Sequence, residues 1–127
     1  MEREKFEDLV TKAIESLPLE FQRKLENVDV VVEEWPTAVQ LRQAKTKSPG
    51  QLLGLYEGVP RNRRGRGYGL VLPDKISIFQ RPIEAQCRFG YEIEAKVGEV
   101  VRHEIAHHFG VDEETLRKIE VEKRKKK

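Results

Sequence analysis

The chain is short of several residues whose scarcity is informative. Among its 127 residues are one cysteine, one methionine, one tryptophan and three histidines. A single thiol, Cys87, excludes an internal disulfide framework and suits a reducing compartment, so a cytoplasmic protein is expected. No apolar run approaches the roughly 18 residues of a membrane span, and the charged residues 1–5 do not open a signal peptide. No membrane partner is expected. Aromatic residues make up only 7% of the chain and charged ones 36%, which leaves 38% hydrophobic residues, enough for one modest core. We expect one domain over residues 1–122, followed by a basic tail, residues 123–127.

The net charge of +2 is unevenly spread. All five tail residues are basic, and with the tail set aside the body is slightly acidic. A second basic feature is the loop carrying Arg61, Arg63, Arg64 and Arg66, interleaved with Asn62, Gly65 and Gly67. Both features could touch phosphates. They read more simply as a helix end whose cations suit its dipole and as a solvated loop. Nucleic acid is therefore a secondary reading.

Apolar residues at three- and four-residue spacing (Phe6, Leu9, Val10, Ala13, Ile14, Leu17) predict an amphipathic first helix, stopped by Pro18. A short helix through Leu19, Phe21 and Leu25 follows, then a β-branched strand over residues 28–34. Thr37 is a candidate N-cap for a short helix. Residues 52–56 and 75–80 read as further strands, with Gly54 either weakening the first of them or letting another backbone approach. Between them, residues 57–69 form a long Gly- and Arg-rich loop. Pro82 begins a helical turn through Ile83, Ala85 and Cys87. A long helix over residues 91–109 comes next, closed by Gly110 at a position suited to left-handed backbone. Asp112 reads as the N-cap of a last helix. Helices, a small sheet and more helices make an α+β fold.

The long helix carries His103-Glu104-Ile105-Ala106-His107-His108-Phe109-Gly110, an HExxHxxG pattern. Histidines four apart on a helix stand one turn above each other, so both imidazoles reach one metal ion. Zinc accepts such nitrogens at about 2.0–2.1 Å in a roughly tetrahedral shell. Glu104 is turned about 100° from His103. From there it can take a proton from an activated water, without being a ligand, and deliver one to a leaving group. An HExxH string arises by chance in roughly one chain in a few hundred. What strengthens it here is the helical setting, the glycine and acids that follow, and the absence of histidine elsewhere. The competing reading is an ordinary amphipathic helix with surface histidines.

A catalytic zinc usually has three protein ligands. Beyond His103 and His107, the third is His108, Cys87 or a carboxylate. His108 points about 100° away from His107 and reads as a histidine at the core edge. Cys87 reads as a small buried hydrophobe. Gly110 permits a change of direction that swings Asp112, Glu113 and Glu114 back toward the metal. Of these Glu113 is favoured and Asp112 is the runner-up. The expected site is thus one zinc ion held by His103, His107 and Glu113, with Glu104 as the acid–base group.

The run HEIAHHFGVDEE resembles the signature of the very small bacterial zincin-like proteins, a family of zinc metallopeptidases. The likeness extends to Leu53-Gly54-Leu55-Tyr56-Glu57-Gly58, to Leu72-Pro73-Asp74-Lys75-Ile76-Ser77-Ile78-Phe79, and to Arg81-Pro82-Ile83-Glu84. It covers roughly residues 28–120. The resemblance implies a minimal zincin-like fold: N-terminal helices, a small twisted sheet of three to four strands, an active-site helix and a short C-terminal helix. It also implies a strand that borders the cleft and holds a peptide backbone, for which residues 75–80 are the candidate. The metal-binding positions carry over to His103 and His107, and the acid–base position to Glu104. Where the small family generally has Asp three residues after the glycine, this chain has Glu113, with Asp112 one place earlier.

The function expected is hydrolysis of peptide bonds in a peptide or protein substrate. Oxyanion stabilisation would fall to an Arg or to Tyr56, Tyr68 or Tyr91. A metal-dependent RNA-processing nuclease is the alternative that the basic loop and tail favour. A metal-stabilised binding or regulatory domain with little turnover is the third reading.

Overall fold

The computed structural model describes residues 1–58 and 74–110, with Glu114, Thr115 and Lys118. Expectations for the loop around Arg61–Arg66, for the strand-like residues 70–72, for the Asp112 cap and for the tail lie outside the described residues. The elements are α1 (Arg3–Glu15), α2 (Leu19–Lys24), β1 (Val28–Glu33), α3 (Ala38–Gln43), β2 (Gly54–Glu57), β3 (Asp74–Phe79), α4 (Gln80–Ala85) and α5 (Gly90–Phe109). Single 3-10 turns occur at Leu25–Asn27 and Pro49–Gln51. This is the small α+β arrangement expected.

Local chemistry accounts for the helix boundaries. Thr37 caps α3 by accepting from the Gln40 backbone N–H, while the Gln40 side chain accepts from the Thr37 N–H; this reciprocal box satisfies two otherwise orphaned donors. At the far end of α5, Gly110 adopts φ 65°, the left-handed conformation that glycine enters without a Cβ penalty. That cap ends the helix directly after the HExxHxxG residues.

The sheet has three strands in the order β1-β3-β2. β3 is parallel to β1, with Val30 opposite Ile76, and antiparallel to β2, with Gly54 opposite Ile78. This corrects the expectation that residues 75–80 border the cleft. Both edges of β3 are already hydrogen-bonded, so it has no free edge to offer a peptide. Its burial explains why it is central: Ile76, Ser77, Ile78 and Phe79 are all essentially inaccessible. Its sequence nonetheless alternates, with the polar Ser77 buried between Ile76 and Ile78. The edge beside α5 belongs to β2.

One core unites the elements. Val97, Val101 and Ile105 of α5 pack with Ile76 and Ile78 of the sheet and with Phe6, Val10 and Leu17 from the first helical segment. Burying a side chain of this size contributes about 1.5–3 kcal/mol. The stripe on α5 that holds the fold together is therefore distinct from the neighbouring stripe that carries His103 and His107, both of which are exposed.

Candidate metal centre

His103 and His107 stand one turn apart on α5, their ring centroids 4.4 Å from each other. Each offers a nitrogen, and Glu104 a carboxylate oxygen, and these atoms lie within 4.8 Å of one another. Two exposed imidazoles at this spacing suit a divalent ion that takes nitrogen ligands, with the Glu104 carboxylate standing beside it. The donor set therefore fits zinc.

Glu104 differs from its neighbours. It is only 5% exposed, turned inward beneath β2. Burial pushes its carboxyl above the ordinary glutamate range, while His103, His107 and a hydrogen bond from the backbone N–H of Tyr56 pull the other way. Burial prevails because desolvation penalises the charged form more than these neighbours support it. A carboxyl held in this way retains a proton more readily than a solvated one, as an acid–base group must.

The contact with Tyr56 follows from strand geometry. Phe79 N–H donates to the Leu53 carbonyl at 3.0 Å, which makes Leu53 and Phe79 a hydrogen-bonded pair. In an antiparallel ladder such pairs alternate, so Leu55 and Glu57 also face β3. The backbone groups of Gly54 and Tyr56 are then directed away from β3, over α5. Gly54 makes this approach possible. A Cβ at that position would stand 2.8 Å from Val100 Cγ1 and 3.0 Å from Glu104 Cγ. A close approach at Gly54 is thus observed, made by side chains of the helix that carries Glu104 rather than by another backbone.

A second anchor lies one turn further along α5. The Tyr56 hydroxyl donates to Asp74 Oδ2 at 3.1 Å. His108 Nδ1 lies 3.4 Å from the same oxygen, and the His108 ring meets the Tyr56 ring edge-on with centroids 5.1 Å apart. His108 accordingly sits at the core edge, as its helical angle implied, away from His103 and His107. Tyr56 is committed through its hydroxyl to Asp74, and Tyr91 is 72% exposed near the start of α5, so neither hydroxyl is aimed at the centre. Cys87 is half-buried rather than fully buried and is not in the His–Glu–His group. Asp112, Glu113 and Tyr68 lie outside the described residues. Sequence reasoning missed Asp74 and the Tyr56 backbone, because the pairing that joins β2 to β3 is not encoded in any local motif.

A cleft of about 290 Å³ opens beside the centre, between residues 51–54 and the α5 face formed by Lys96, Glu99, Val100, His103 and Glu104. It gives the buried carboxyl access to solvent.

The fold and the His–Glu–His helix define a class of protein, the small zincins, and the sequence comparison agrees. The chain belongs to the zincin-like metallopeptidase family, which it matches over residues 25–123. No curated protein matches it. Family membership implies a zinc-binding site and a peptide or protein substrate. Among the described residues no helix is long and apolar enough to cross a membrane.

Proposed function

We propose that the protein is a zinc-dependent peptidase in which Glu104 is the acid–base group and His103 and His107 are two of the metal ligands, with Glu113 as the third. The observation that carries the reading is the buried Glu104 carboxyl, set between two exposed ligating imidazoles at the end of an open cleft. Zinc, when bound, supplies Lewis acidity toward a carbonyl oxygen and lowers the pKa of water. Glu104 accepts the proton of the attacking water and returns it to the leaving amine. Its burial shields the proton it carries from bulk water, and the Tyr56 N–H orients the carboxylate. The edge of β2 not paired with β3 borders this cleft and is the candidate for holding an extended substrate, the role expected of residues 75–80.

The test is incubation of purified zinc-loaded protein with a panel of unfolded proteins, followed by mass spectrometry of the fragments. Cleavage that is lost in Glu104→Ala, while bound zinc is retained, supports the mechanism. Activity that survives Glu104→Ala overturns it.

A further inference from the structure

The cleft extends from the centre toward the start of α5, and its charges are ordered. Lys96 and His103 are seven positions apart, two helical turns or about 10.5 Å along the axis. At about 100° per residue, Lys96 falls on the line midway between His103 and His107, and Glu99 about 60° from that line. Exposure agrees with this placement: the Lys96 side chain is 29% exposed and that of Glu99 51%. The cation is inside the cleft and the anion is at its rim. Their ion pair, 3.5 Å between Nζ and Oε2, draws the ammonium along the helix toward the metal end. The rest of the lining is Gln51, Leu52, Leu53, Gly54 and Val100, with His103 and the Glu104 carboxyl at the metal end.

The geometry points to a cleft that selects a carboxylate on the substrate, with Lys96 the specificity-determining residue that receives it about three extended residues from the cleaved bond. Glu99 is the built-in counter-ion that the incoming carboxylate displaces. It is the partner more easily released, because it is half in water and recovers hydration on leaving, whereas Lys96 is the more shielded of the two. This inference rests on the peptidase reading. The carboxylate has two sources in a peptide, the C-terminal group and an Asp or Glu side chain.

Fluorescein-labelled peptides of otherwise neutral sequence test it by anisotropy on the full chain, both metal-free and zinc-loaded. One peptide has a free C-terminal acid, one a C-terminal amide, and two further amides carry an internal Glu or Gln. We expect the free acid or the Glu peptide to bind about fivefold more tightly than its neutral partner, and which of the two does so identifies the source. Lys96→Met abolishes the difference. Glu99→Gln raises affinity for the acidic peptide about twofold or more, a gain that a structural role for the pair would not produce. Equal binding of charged and neutral peptides, a preference that survives Lys96→Met, or no binding of any peptide overturns the inference. Cleavage without charge preference would sink it and leave the peptidase standing. Charge-selective, Lys96-dependent binding without cleavage would support it and count against the peptidase.

Discussion

Glu104→Gln is expected to make the metal-free protein more stable while destroying its chemistry. The carboxyl is 5% exposed and its pKa is raised chiefly by burial. At a pH of about 8 the metal-free fold carries a desolvated charge with one backbone donor, and His107 Nδ1 3.9 Å away. An amide is nearly the same shape, and its oxygen keeps the hydrogen bond from Tyr56. Its new N–H donors need partners, with His107 Nδ1 the near candidate, so part of the gain is returned. The net stabilisation expected is about 1 kcal/mol, or roughly 3–5 °C in Tm for a domain of this size. The pH dependence has a definite sign. A carboxyl whose folded pKa lies above its unfolded value is favoured by folding in its protonated form. The native chain therefore gains stability as pH falls through that pKa and loses it as pH rises. The difference between native and Glu104→Gln should be full at about pH 8 and close to zero near pH 4. Urea unfolding in the presence of a chelator at both pH values measures it. A destabilised amide variant at pH 8, or a gain that persists unchanged at pH 4, would refute the desolvated carboxyl.

Three further outcomes are expected. His107→Ala should abolish stoichiometric zinc retention yet shift metal-free stability by no more than about 0.5 kcal/mol, because the side chain is 59% exposed; metal analysis and urea unfolding check both halves. Gly54→Ala should cost about 1–3 kcal/mol and depress hydrolysis, since its Cβ would strike Val100 and press on Glu104; an unchanged Tm would contradict the close packing. Tyr56→Phe should cost about 1 kcal/mol by removing the hydrogen bond to Asp74, with zinc content unaffected, as thermal unfolding and metal analysis would record.

Much of this architecture was legible in sequence because it is written locally. Helical spacing from Phe6 onward, the Thr37 cap and the glycine after Phe109 each act within a few residues and appear where expected, although α1 ends at Glu15, before Leu17, and the return bond from Gln40 to Thr37 was not foreseen. The His103–Glu104–His107 group was legible for the same reason, since one helix supplies it all. The order of the strands was not. Residues 75–80 were expected at the cleft, yet β3 lies in the middle of the sheet, because which strand pairs with which depends on contacts far apart in the chain. The same non-locality hid Asp74, which meets Tyr56 and His108 only once β2 and β3 are side by side on α5.

The first helix has a consequence for where the scaffold begins. Family likeness starts at Leu25, but Phe6 is fully buried and Val10 nearly so, in the same core as Val97 and Val101. Lys12 reaches Glu94 at 2.7 Å, and the Arg3 guanidinium donates to the Val32 carbonyl, so α1 is fastened to both the helix and the sheet. A chain trimmed to the shared segment would open a greasy trough along the rear of the very helix that presents the imidazoles. The segment before the shared region is the backboard of the scaffold, and a minimal metal-carrying miniprotein drawn from it must start near Arg3.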